Sequence, residues 1–191
     1  HVFCLGDYVC WSAPVGALGN WRYEGVIYPK TEDPLNRDGK MCLYAPDVTV
    51  GPDGRFYLYY VLDHVSVVSV AVSDTPARKY HFLGYVHYPD GTRLGERPGD
   101  EPQFDPGVLT EGDRTYLYTG FCGRGDTSRT GAMVTVLGPD MLTIEEAPVF
   151  IVPGCEHSAG IEFENHTFFE APSIRRRGDT YYFIYSSEVM H

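Results

Sequence analysis

The chain has 191 residues, enough for one domain with a sizeable core, and a globular makeup of 43% apolar, 14% aromatic and 21% charged residues. A net charge of −11 argues against nucleic acid or an anionic membrane surface as partner. Fifteen Tyr, 21 Gly and 14 Pro, with little sustained helical periodicity, point to all-β structure with many turns.

Residues 1–28 alternate short β-like runs with Gly, Pro and Asn, and NWRYEG turns into a strand for which Trp21 reads as an anchor. Residues 29–43 are polar and carry Pro and Asp-Gly, the makeup of a loop. Val48–Val50 is then a short strand, Gly51-Pro52-Asp53-Gly54 a turn, Phe56–Leu62 a second strand, Val65–Ser73 a β-branched third and His81–Tyr88 a fourth. After a loop at 89–103 the same order returns: a strand at Val108-Leu109, a turn at Glu111-Gly112-Asp113, then strands at Tyr116–Gly120, Ala132–Leu137 and Val149–Val152. A loop at 153–169 leads to two further strands within 170–187. Four antiparallel strands per unit is the layout of a propeller blade. The expected organisation is a single propeller domain over 1–191. It comprises a remnant of a first blade with its loop at 1–43, blades at 44–103 and 104–169, and the start of another at 170–191. An open arc of about three blades exposes sheet edges, so the ring is expected to be completed by residues outside this chain.

Three stretches repeat one phrase: YAPDVTVGPDGRFYLYY (44–60), FDPGVLTEGDRTYLYTG (104–120) and FEAPSIRRRGDTYYFIY (169–185). Their prolines Pro46, Pro106 and Pro172 lie 60 and 66 residues apart, a spacing that signals repeated units around an axis. Asp47, Asp105 and Glu170 fall at nearly equivalent points of these units, and in a ring they converge. Gathered carboxylates suit acid–base work on an uncharged substrate, above all a glycosidic bond. The aromatics beside them, Tyr44, Phe104 and Phe169, with Trp11 or Trp21, are candidates to stack on sugar faces, although core packing competes for each. His157 and His166 flank the Glu170 loop and could line a polar pocket.

The YAPDV, FDPGVL and FFEAPSI motifs in this order, the last two leading into G-D-x-x-Y-L-Y and G-D-T-Y-Y-F-I-Y-S-S, resemble glycoside hydrolase family 43 over nearly the whole chain. The resemblance implies a five-bladed β-propeller, incomplete here, that cleaves β-D-xylosidic or α-L-arabinofuranosidic bonds of plant cell-wall oligosaccharides by inversion. On the matching motifs, Glu170 is the general acid, Asp105 tunes its pKa and positions it, and Tyr44 to Asp47 lie near the substrate pocket. Asp47, Tyr44, Phe104, Phe169 and His166 are the substrate-binding candidates. Inverting hydrolysis needs one protonated carboxyl and one carboxylate roughly 6.5–9.5 Å apart. A nearby negative charge helps an acid hold its proton, and Asp105 would supply it.

The family's general base is an Asp-Pro aspartate opening the first blade, and no position here matches it. Asp33-Pro34 lies in a loop and lacks the aromatic strand that should follow, and Asp7 lacks the proline. Two other readings stand beside this one. A retaining fructosidase-type propeller also carries an acid in a D-P motif, but such enzymes usually follow the acid Glu with Cys where this chain has Ala171. A non-catalytic carbohydrate-binding propeller would need no base.

The resemblance requires no cofactor and leaves room for a structural calcium on the propeller axis, held by residues outside this chain. The histidines show no metal-ligand spacing. The five cysteines Cys4, Cys10, Cys42, Cys122 and Cys155 are odd in number and lack a C-x-x-C pair, which suits thiols in a reducing compartment. A cytoplasmic location is expected, with an extracellular one open if a signal segment preceded His1. Arg124-Gly125-Asp126 reads as an ordinary loop, Arg175-Arg176-Arg177 as a solvated strand end, and Asn165-His166-Thr167 as a sequon relevant only in a secretory pathway. No run of ~18 apolar residues offers a membrane span.

Overall fold

The structure is a computed structural model that describes residues 6–188. It contains two four-stranded antiparallel sheets and two hairpins. The hairpin β1 (Tyr8–Ser12) and β2 (Arg22–Tyr28) comes first. The first four-stranded sheet follows as β3 (Leu43–Val50), β4 (Phe56–Leu62), β5 (Ser69–Ser73) and β6 (His81–Tyr85). The second holds β7 (Gly107–Glu111), β8 (Arg114–Thr119), β9 (Gly131–Leu137) and β10 (Ile144–Pro153). The last hairpin is β11 (Thr167–Arg177) with β12 (Thr180–Glu188). Each sheet runs in sequence order, so β3 and β7 are edge strands. The first strand of each unit packs beside the first strand of the next, β3 on β7 and β7 on β11, as in blades set around an axis.

Strand β4 shows why the apolar runs are continuous. Tyr57, Tyr59 and Val61 point into a cluster shared with Val108, Leu117, Leu137 and Met141 of the second sheet. Leu58, Tyr60 and Leu62 point the other way, onto Ile27 and Tyr28 of the first hairpin. A strand buried on both faces loses polar alternation. Each such side chain contributes roughly 1.5–3 kcal/mol of burial. A third cluster joins Cys122 and Ala132 to Phe168, Phe183 and Tyr185 of the last hairpin. Polar contacts tie the layers as well: the Tyr59 hydroxyl donates to the Met141 carbonyl at 2.8 Å, and Thr49 Oγ1 donates to Thr110 Oγ1 at 3.0 Å.

Three details differ from the sequence reading. The third strand starts at Ser69 because Asp63 and His64 turn the chain first, His64 at φ 63°. The 29–43 segment forms two short 3-10 turns, Lys30–Glu32 and Pro34–Asn36. Trp21 is 58% exposed and anchors nothing among the described residues, whereas Ile27 and Tyr28 at the end of β2 do the packing.

Candidate active site

The three proline motifs share a backbone device. Ala45, Asp105 and Ala171, each immediately before a proline, have φ of 49°, 47° and 58°. A residue before proline is ordinarily extended, and a non-glycine residue in the left-handed region is strained. Three repeats of this corner place the start of β3, β7 and β11 around one cavity of about 250 Å³, whose lining includes Asp47, Asp105, Pro106, Ala171, Pro172 and Arg175.

The corners also fix the true register of the acids. Aligned on the left-handed residue, Asp105 matches Ala45 and Ala171, while Glu170 matches Tyr44 and Phe104, and Asp47 matches Gly107 and Ser173. The acids therefore lie just before, at and two residues after the left-handed position, nearly but not strictly equivalent points of the motif. Asp47 accepts the Val48 N–H on Oδ1 and the Val108 N–H on Oδ2, both at 2.9 Å. It thereby bridges the first sheet to the free edge of β7, so it serves as a tie between blades. Asp105 makes the corresponding bridge one unit on: its Oδ2 accepts the Ala171 N–H at 3.1 Å. Gly107 lets β11 come close, since a Cβ there would lie 2.3 Å from the Pro172 carbonyl oxygen.

Asp105 is 8% exposed. Burial and then the neighbouring Glu170 charge push its carboxyl up from 3.8 to about 6, against the stabilising Ala171 N–H. Glu170 is half-buried on β11, at a bulge in its pairing with β12.

The aromatic candidates form a row. Tyr44 and Phe104 have ring centroids 6.1 Å apart, Phe104 and Phe121 are 5.7 Å apart, and Phe121 and Phe169 are 5.5 Å apart. Sequence reading missed Phe121, which sits just after β8 in an irregular segment. Phe121 follows the repeated aromatic strand directly, and the N–H of the next residue, Cys122, donates to the Phe169 carbonyl at 2.8 Å. His166 is exposed in the turn before β11, and its carbonyl accepts the Tyr185 hydroxyl at 2.6 Å.

Of the acids weighed as general base, Asp33 is sealed in the core and Asp7 lines a small cavity with Tyr44, Ala45 and Pro46. Asp33 is fully buried, and its carboxylate accepts the hydroxyls of Tyr60 at 2.7 Å and Tyr85 at 3.0 Å and the Leu35 N–H at 2.9 Å. That sealed carboxylate has no face for a water. Asp7 is exposed and accepts the Lys30 N–H at 2.9 Å. Nor do the axial residues fit a calcium ion. Asp47 and Asp105 spend carboxylate oxygens on backbone N–H groups, and the Arg175 cation lines the same cavity. The larger groove, about 950 Å³, runs between β2 and the far edge of the first sheet; Arg22, Arg55, Arg78 and Lys79 line it, away from the paired acids.

Radial antiparallel sheets with acids and rings gathered where the inner strands begin define a propeller of the carbohydrate-cleaving class. The chain belongs to family 43 of the glycosyl hydrolases, whose model matches residues 9–190. It is 76% identical, over its whole length, to a protein named xylosidase/arabinosidase from Thermoclostridium stercorarium, and it spans 40% of that relative. Among solved structures it is similar to an α-L-arabinofuranosidase from Clostridium thermocellum, with 25% identity and a TM-score of 0.68, covering 96% of this chain and 53% of that one. The RS223 β-xylosidase matches with 21% identity and a TM-score of 0.70, over 95% of this chain and 59% of that one, a likeness of fold. The fold is thus part of a five-bladed propeller.

Proposed function

We propose that the protein containing this segment hydrolyses β-D-xylosidic or α-L-arabinofuranosidic bonds of plant cell-wall oligosaccharides with inversion. Glu170 is the general acid, and Asp105 positions it and sets the charge it faces. The observation that carries this reading is the contact between the two acid-bearing motifs. Asp105 is buried, and its Oδ2 accepts the N–H of the residue after Glu170. Paired carboxyl groups with divided roles are the working parts of glycoside hydrolysis. The ring row Tyr44, Phe104, Phe121, Phe169 gives apolar faces for a sugar beside the acid. The names of the relatives, which include xylosidase and arabinofuranosidase, support pentosides as substrates. Asp33 is sealed and Asp7 lacks the Asp-Pro motif, so the general base is assigned to a carboxylate outside residues 6–188. No metal is given a role in the chemistry.

The test is NMR of the sugar first released by the full-length protein from xylo- and arabino-oligosaccharides. Inversion at the anomeric carbon is expected. Retention would overturn the mechanism, and no cleavage of either series would overturn the substrate assignment.

A further inference from the structure

The loop after β8, residues 121–130, carries the Arg-Gly-Asp triplet that looks unremarkable in sequence, yet it forms a built wall beside the acids. Glu101 accepts the Thr130 N–H at 2.8 Å, Glu156 accepts the Gly125 N–H at 2.8 Å, and His157 Nε2 donates to the Thr127 carbonyl at 3.1 Å. Two segments, the stretch before β7 and the 3-10 turn Cys155–His157, thus pin one loop.

Inside it, Arg129 is fixed from two sides. Its Nε lies 3.1 Å from Asp126 Oδ2, and its Nη1 donates to the Phe121 carbonyl at 3.0 Å. The guanidinium lies over the Phe121 ring, 5.1 Å from the centroid. Its side chain is only 19% exposed, and Nη2 has no protein acceptor among the described residues. A planar cation on an aromatic face, oriented by a carboxylate and a carbonyl, keeps two N–H donors in a set direction. Phe121 is the middle ring between Phe104, which precedes Asp105, and Phe169, which precedes Glu170.

We propose that Arg129, preset on Phe121, is a substrate-positioning residue that donates Nη2 hydrogen bonds to hydroxyls of a sugar unit lying along the aromatic row. This rests on the glycosidase reading above and adds the residue that selects chain length. The ligand class is an oligosaccharide with at least one pentose beyond the bond cleaved. An uncharged sugar suits the site because Asp126 already balances the guanidinium.

In the full-length protein, Arg129→Ala should raise KM for xylo- or arabino-oligosaccharides about ten-fold, the worth of one hydrogen bond to a charged group. It should leave kcat on the same substrates within about two-fold and the KM for an aryl monopentoside nearly unchanged. Arg124→Ala, exposed on the same loop, is the control and should change neither. Phe121→Ala should reproduce the KM effect, and Phe121→Tyr should restore most of it. Equal KM on oligosaccharides for Arg129→Ala and wild type overturns the proposal. So does an equal fall in kcat on long and short substrates with a lowered melting temperature, which marks Arg129 as a loop staple only. If the wild type cleaves no pentoside, the glycosidase reading fails separately. Calorimetric binding of xylo- and arabino-oligosaccharides to wild type and Arg129→Ala then still decides this residue, a weaker Kd supporting it and an equal Kd refuting it.

Discussion

A carboxyl that is 8% exposed and faces a second acid is costly to ionise, and Asp105 is such a group. Its proton is held up to about 6 in the folded protein against an ordinary 3.8, so the folded state binds that proton more tightly than the unfolded chain does. Stability therefore falls as pH rises from about 4 through about 6 and stays low above that. The loss is at most ~3 kcal/mol at about 1.4 kcal/mol per unit. Asp105→Asn keeps an oxygen for the Ala171 N–H and removes the charge. It should raise the thermal midpoint at pH 8 by several degrees and leave it nearly unchanged at pH 4. The same variant should cut turnover on unactivated pentosides, because Asp105 holds the Ala171 N–H beside Glu170. A midpoint at pH 8 no higher than wild type would contradict the burial argument. Glu170→Gln separates chemistry from charge. It should abolish cleavage of unactivated pentosides yet retain more activity on aryl glycosides with good leaving groups, which need little protonation. Equal losses on both substrate types would remove Glu170 from the general-acid role.

At the scale of strands, the left-handed corner before each proline decides which side chains meet. Gly107 is the point where β7 and β11 touch, with Pro172 carbonyl oxygen 2.3 Å from where a Cβ would stand. Gly107→Ala should force β11 outward, lower stability by about 1–3 kcal/mol, and depress kcat more than KM, because Glu170 rides on β11. Gly91→Ala is the contrast: unlike Gly107 it has positive φ, 85°, but open space around it, so about 1 kcal/mol of strain and unchanged kcat are expected. If both variants lose activity alike, the contact at Pro172 is unimportant. Much of this layer is legible in sequence. The repeated strand–turn–strand phrase gives the blades, because Gly112 and Gly178, at φ 62° and 60°, open the hairpin turns β7–β8 and β11–β12. What escaped has physical reasons. Phe121 and Arg129 lie in a loop without periodicity, placed by contacts with Glu101 and Glu156 that are distant in sequence. Trp21 looks like a core anchor by residue type alone, yet burial is set by which face of β2 meets the neighbouring sheet.

For the whole molecule, the two hairpins at the ends of the arc each bury one face and show the other. On the first, Trp11 and Tyr23 are 54% and 51% exposed with ring centroids 5.1 Å apart. On the last, Tyr182 and Ile184 are 50% and 63% exposed. In a closed five-bladed ring an end blade gains a second neighbour. Exposed apolar sheet faces beside unpaired edges favour self-association. Residues 1–191 produced alone should therefore bind a hydrophobic dye and sediment as a mixture of associated species. Mutating Tyr182 and Ile184 together to Thr should reduce both signals. The chain spans 40% of its xylosidase/arabinosidase relative, whose additional length is enough for the remaining blades. The full-length protein should accordingly bind little dye and sediment as a defined species. The segment alone should show no turnover of xylo- or arabino-oligosaccharides, since Asp33 is sealed by Tyr60 and Tyr85 and offers no base to a water. Turnover by the segment, abolished by Glu170→Gln, would instead place the general base within it and overturn the assignment of that base to another part of the ring.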